Sequence, residues 1–213
     1  MQQLNTRRGP LMLVSYCSAE ELERLQIDEG LGFFWHNRPD LQRQALIKIA
    51  QQPDGRVALA HTAEGIIVGY ITITSPEPDT RWGKDQIEGL EEMGGIEVSR
   101  SWRGDGVGRA ILASVFTPES YERQIVIATG YRWCWDMEMT GLTVREYRQM
   151  LLRMFGEFGF QSYETDEPNI AWYPDNALVA RVGSKVSHQL MAAFKRLLFE
   201  RPGSDYVTSE FVR

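Results

Sequence analysis

Along the chain, runs in which β-branched and apolar residues alternate with small or polar ones are separated by stretches whose apolar positions recur every three to four residues. These are the two periodicities of strand and helix. The first kind predicts strands over residues 11–16, 57–61 and 66–74, the last two joined as a hairpin by Thr62-Ala63-Glu64-Gly65. Between the first two strands, Ser18 followed by Glu20, Glu21 and Leu22 reads as a helix N-cap with an acidic first turn. Residues 40–51 put Leu41, Ala45, Leu46 and Ile49 on one helical face. After the break Ser75-Pro76-Glu77-Pro78-Asp79, the acidic run 85–93 reads as a short helix and residues 95–99 as a strand. A helix is expected from Arg109 to Val115, a strand over 124–128, an amphipathic helix over 144–158 and a short strand over 159–164. Helices over 176–183 and 189–199 complete the pattern. This is a mixed α/β (α+β) chain without internal repeats, forming one domain over residues 1–201, with 202–213 a tail expected to be mobile.

Composition narrows the partners. At 213 residues, area scaling allows about 70% of the extended chain's surface to be buried, so neither disulfide nor metal is required for stability. The net charge is −6, from 23 Lys and Arg against 29 Asp and Glu, which lacks the basic footprint of a nucleic-acid binder. Cys17 and Cys134 are too few for a disulfide framework and read as two reduced thiols, with a single bridge left open. The longest strongly apolar stretch, residues 65–73, is far short of the ~20 residues that span a bilayer, and the N-terminus lacks a signal peptide's apolar region. A cytoplasmic protein without a membrane partner is expected. His36, His61 and His188 are scattered without ligand spacing, so no metal is expected.

The most informative stretch is Arg103-Gly104-Asp105-Gly106-Val107-Gly108-Arg109, which follows Ile96-Glu97-Val98 and opens a helix. A glycine turn at a helix start presents free N–H groups at the positive end of the helix dipole, a ready anion site. It is not G-x-G-x-x-G, because Arg109 stands at the last glycine position, and no Lys-Ser/Thr follows as in a P-loop. The spacing R-x-x-G-x-G at Arg103, Gly106 and Gly108 resembles motif A of the GNAT N-acetyltransferase superfamily. That resemblance implies a central mixed, mostly antiparallel sheet with splayed strands, flanked by helices. It also implies acetyl-CoA as co-substrate. The backbone of Ile96 and Val98 would pair with pantetheine, while Arg103, Gly104, Asp105, Gly106, Val107, Gly108 and Arg109 would hold the pyrophosphate. Asn176, leading the segment to Gly183, is similar to the Asn at the head of a final helix flanking coenzyme A in that superfamily.

The similarity is closer to one branch. Arg8-Gly9-Pro10, Val68-Gly69-Tyr70, Gly95-Ile96-Glu97-Val98, Glu146-Tyr147-Arg148, Thr165-Asp166-Glu167-Pro168 and Ala180-Arg181-Val182-Gly183 resemble the acetoin-utilization acetyltransferases in order and spacing. The resemblance implies a protein lysine acetyltransferase that switches off AMP-forming acetyl-CoA synthetase.

An amine attacking a thioester must lose a proton, and a lysine at its ordinary pKa is only about one part in 10³ neutral at pH 7. Glu97 is the carboxylate best placed to act as base: strand alternation sets it opposite Ile96 and Val98, directly before the loop. The Val98 N–H is the expected oxyanion donor, and no general acid is assigned. From Ile96 to Arg109 the net charge is +1, whereas residues 85–97 carry five acids and no Lys or Arg, a face suited to a basic acceptor. Trp133, Trp135 and Asp136 follow the 124–128 strand and are the expected acceptor contacts. A small-amine acetyltransferase and a non-catalytic acyl-CoA sensor stay open beside the protein-lysine reading.

Overall fold

A computed structural model describes residues 2–117, 119–138 and 140–200. The tail over 202–213 lies outside the described residues. The chain opens with a hairpin, β1 (Gln2–Thr6) and β2 (Gly9–Val14). The strands β4 (Arg56–His61), β5 (Ile66–Thr74), β6 (Leu90–Val98), β7 (Ile125–Gly130), β8 (Phe160–Tyr163) and β9 (Ala177–Val182) continue a sheet of order β1-β2-β4-β5-β6-β7-β9-β8. Neighbours run antiparallel except β6 with β7, and the two-residue β3 (Gln26–Ile27) lies parallel against the start of β5.

Helices cover both faces. On one, α3 (Val107–Val115) and α4 (Val144–Gly156) bury Val107, Ile111, Leu112 and Phe155 against Leu11, Ala58, Ile71, Val126 and Val179. On the other, α1 (Ala19–Arg24) and α2 (Pro39–Ala50) set Leu22 and Leu46 on Leu59, Ile67 and Tyr70. Beside them α6 (His188–Leu198) sets Leu190, Phe194 and Leu197 on Ile125, Ile127 and Leu178. Each such side chain removed from water contributes ~1.5–3 kcal/mol. The start of α1 is the expected one: the Glu21 amide donates to Ser18 Oγ at 3.2 Å and the Ser18 amide to Glu21 Oε2 at 2.8 Å, a capping box.

Two expected helices are strands. The acidic run 85–93 ends in a turn at Gly89, φ +82°, and its remainder belongs to β6, which is central, with β5 on one side and β7 on the other. Sheet hydrogen bonds on two edges outweigh the helix preference of a few glutamates. Residues 176–183 form β9 because Ala177, Leu178, Val179 and Ala180 are all buried, and a run apolar on both faces has no period to separate strand from helix. The polar edge strand β1 has no apolar alternation to announce it.

A bulge in β6 decides which of its acids share a face. Thr72 pairs with Gly95 but Ile73 with Met93, so Gly94 is an extra residue in β6. It turns Glu92 and Glu97 to the same face, the one opposite α3 and α4, although five positions separate them.

Candidate active site

The strands β6 and β7 are paired only at Leu90↔Ile125, Glu91↔Val126 and Glu92↔Ile127. Beyond Glu92, β6 stays with β5 as far as Val98 while β7 stays with β9 as far as Gly130. Two strand edges therefore diverge and face each other with their polar backbone unpaired across the gap. The Ser99 amide donates to the Val68 carbonyl on the β5 side at 2.9 Å, so alternation turns the N–H groups of Val98 and Ile96 toward the gap.

The glycine loop closes the far end of that gap. Gly104 and Gly106 have φ of +81° and +78°, and the space where a Cβ of Gly106 would sit is open. Gly108 packs against Val98, Ile96 and Met154, drawing the first turn of α3 down onto β6. Among the described residues the amides of Gly104 to Arg109 donate to no protein acceptor. Bare N–H groups at a helix start and open space for an anion are what a pyrophosphate needs, so the loop fits the group expected there.

The loop's arginines are differently used from the expectation. Arg103 donates from Nε to the Val98 carbonyl at 3.2 Å, from Nη1 to the Asp136 carbonyl at 3.2 Å and from Nη2 to Asp136 Oδ2 at 2.7 Å. Arg109 is bidentate with Glu157 at the end of α4. The Arg103 guanidinium thus braces the scaffold, whereas the Arg109 pair lies at the surface, with Arg109 53% exposed. A more exposed cation beside the loop is Arg7, from the β1–β2 turn, which donates to Asp105 and reaches within 3.6 Å of where a Cβ of Gly104 would sit. No sequence signal ties a turn residue near the N-terminus to position 105.

Glu97 is buried, 5% exposed, and its carboxylate is fixed from three directions. Its Oε2 accepts from the Gly32 amide at 3.1 Å and the Tyr70 hydroxyl at 2.8 Å, and its Oε1 from the Phe33 amide at 2.9 Å. Tyr70 is its cross-strand partner, and burial followed by the Glu97 charge pushes the phenol well above its ordinary range, so it stays a neutral donor. Gly32 is required at φ +103°, where a Cβ would sit 2.8 Å from the Arg38–Pro39 backbone.

The segment after β7 sends its expected contacts three ways. Trp133 is 56% exposed, stacked on Tyr131 with centroids 5.0 Å apart. Trp135 turns in toward α4 and lies 5.5 Å from the Tyr147 ring. Asp136 is 6% exposed and is not free for an acceptor: besides Arg103 it takes Arg100 Nε at 2.9 Å, and these guanidiniums hold its carboxyl below the usual range against the opposing effect of burial. Asn176 heads a strand, and its side chain is committed, accepting from the Arg132 amide at 2.7 Å and donating to the Asn169 carbonyl at 2.6 Å. Cys17 and Cys134 are unbridged, and no described helix is long and apolar enough to cross a membrane.

No protein-family model matches the chain. It is 37% identical over 199 residues to the acetoin utilization protein AcuA of Bacillus licheniformis, covering 93% of each chain. To the acetoin utilization protein AcuA of Bacillus subtilis it is 36% identical over 196 residues, 92% of each. The crystal structure of an acetoin utilization protein from Exiguobacterium sibiricum superposes with a TM-score of 0.87 at 32% identity, covering 93% of this chain and 92% of that one.

Proposed function

Because the chain belongs to the acetoin utilization protein AcuA family of GNAT-type N-acetyltransferases, we propose that it moves an acetyl group from acetyl-CoA to a lysine of a protein. The acceptor is AMP-forming acetyl-CoA synthetase, and the transfer is direct, within a ternary complex. The observation that carries this reading is the gap between β6 and β7 ending in the unbonded amides of Gly104 to Arg109.

When bound, acetyl-CoA supplies an activated thioester. The loop amides, the start of α3 and Arg7 hold its pyrophosphate, and the free edge of β6 at Ile96 and Val98 pairs with pantetheine. The Val98 N–H faces the gap and serves as donor to the developing oxyanion. Glu97 takes a proton from the lysine ammonium, and the neutral amine so formed attacks the thioester carbonyl. The new C–N bond replaces the C–S bond, and coenzyme A would leave as the thiolate. Glu97 Oε2 is saturated by two donors, while Oε1 has a single one and keeps an acceptor position. Tyr70 and the Gly32–Phe33 amides fix the carboxylate so that no reorganisation is needed as the proton arrives.

The test is mass spectrometry of purified acetyl-CoA synthetase after incubation with this protein and acetyl-CoA. One lysine gains an acetyl group with the wild type. Glu97→Gln keeps shape and removes basicity, and lowers the rate by ~10²-fold or more. Gly106→Trp strains a positive φ and fills the loop's open space, abolishing acetyl-CoA binding in calorimetry. Absence of transfer to any protein lysine, with acetyl-CoA still bound, would turn the reading to a small amine or a sensor.

A further inference from the structure

Where β6 and β7 part, Glu92 on the sheet face opposite α3 and α4 and Glu167 ahead of α5 are two acids without an ion-pair partner among the described residues. Glu92 is the last residue of β6 paired with β7, and Thr129, two positions beyond its partner Ile127, donates to Glu92 Oε1 at 3.3 Å. Tyr131 follows just past β7, its ring parallel to that of Trp133, and Tyr173 meets Trp133 edge-on at 5.9 Å. Glu167 comes in ahead of α5 (Pro168–Ala171), which Asn176 ties to the Arg132 backbone, and Asn169 donates to Glu167 Oε1 at 3.2 Å. Glu167 is only 8% exposed, and its Oε2 has no partner among the described residues. A buried carboxylate oxygen left bare is costly, so a donor brought to it is favoured.

The electrostatics agree. Burial, then the charge of Glu167 and, further down, that of Glu92 push the Tyr131 phenol up to about 12. Burial, with the charge of Glu77 adding to it, raises Glu92. Four nearby arginines are committed elsewhere: Arg81 to Asp166 and Glu200, Arg132 to Asp175, Arg103 to Asp136, and Arg100 to Asp136 and Glu138. Arg148, on the cavity beside α5, joins no ion pair among the described residues, and its buried Nε has no partner there. Neither Glu92 nor Glu167 joins an ion pair among the described residues. Trp133 and Tyr173 stand more than half exposed.

We propose that this aromatic-rimmed acidic well binds a second basic side chain of the protein acceptor, a lysine ammonium other than the one acetylated. An ammonium satisfies bare carboxylate oxygens and binds aromatic faces, which no anion or neutral group does together. It is a second cation because Glu92 lies roughly 15 Å along the strand from Glu97, farther than one lysine side chain serves both. The inference rests on the protein-acceptor reading and specifies the acceptor as a segment with two basic residues.

Two peptides test it, each with one acceptor lysine, one carrying a second lysine four residues away and the other alanine there. The wild type prefers the dibasic peptide by ~10-fold in kcat/KM, through KM, as expected for one charge-assisted contact. In Glu92→Gln and in Glu167→Gln that ratio falls to near one. The ratio is insensitive to the fraction of folded enzyme, so a stability defect does not mimic the result. A wild type without preference, or variants that keep it, overturns the well. Trp133 fluorescence during titration with each peptide reads binding apart from turnover. If neither peptide is acetylated while the two-lysine preference in binding survives, the acetyl-transfer reading fails and the well stands.

Discussion

At Asp136 a buried carboxylate meets two guanidiniums, whereas at Glu92, on the neighbouring side of the same gap, a partly buried carboxylate meets one threonine hydroxyl. Their ionisation moves in opposite directions: the arginines hold Asp136 down, and burial drives Glu92 up. A charge neutralised within the fold is scaffold. One left without a counter-ion costs stability in the free protein and is set to gain from a cation brought in. Asp136 therefore belongs with the architecture of the phosphate loop, joining the end of β6 to the segment after β7, and Glu92 with recognition.

Removing the Asp136 charge tests the scaffold half and carries the largest stability effect. Asp136→Asn leaves Arg100 and Arg103, 30% and 28% exposed, without their shared partner. Breaking a well-buried pair costs ~3–5 kcal/mol, and partial exposure of the arginines brings the expectation to about 2–3 kcal/mol. For a chain of this size the melting temperature falls by roughly 5–10 °C. The sign with pH follows from a depressed carboxylate. Its stabilisation is present above the ordinary value near 3.9 and is lost as pH falls through the lowered one, so wild type and variant converge in acid. A melting temperature within 1–2 °C of wild type at pH 7 would mean that Asp136 is not structural.

Glu92→Gln tests the other half with a smaller effect of opposite sign. A raised carboxyl is penalised once ionised, and that penalty grows as pH rises from its ordinary value near 4.3 through the raised one. The glutamine variant is expected to be more stable than wild type by about 0.5–1 kcal/mol in urea denaturation at pH 7.5. At pH 4 the advantage disappears. Destabilisation at pH 7.5 would assign Glu92 to the scaffold and erase the contrast with Asp136.

Much of this arrangement is legible in the residues, and the rest is hidden for identifiable reasons. The hairpin of β4 and β5, the Ser18 cap and the glycine loop are local, and local chemistry dictates them. The strand β9 is apolar on both faces and so carries no period. That Glu92 and Glu97 share a face depends on the bulge at Gly94, because strict alternation sets residues five apart on opposite faces. The Arg103–Asp136 and Arg7–Asp105 pairs join distant segments, and each of those residues reads equally well as a solvated charge. Trp133, Trp135 and Asp136, read as one acceptor patch, divide between surface, α4 and loop because a tight helical turn over Arg132–Cys134 redirects the chain.

The two cysteines sharpen the contrast with the smallest effect, since Cys134 sits in the segment compared and Cys17 away from it in the core. Cys17 lies 2% exposed in the core beneath α1 and α2, close to the elements that hold Glu97, and burial together with the Glu21 charge pushes its thiol up to about 12. At pH 8 only about one molecule in 10⁴ carries the reactive thiolate. Cys134 lies between the two tryptophans, half-buried, its thiol raised by burial alone. Labelling with a small thiol reagent is expected to modify Cys134 first and Cys17 only after denaturation, as read by intact mass. The dibasic peptide, seated on Tyr131 and Trp133, is expected to slow Cys134 by a few-fold and leave Cys17 unaffected. Equal protection of both thiols would mean that the peptide tightens the whole fold rather than covering the acidic well.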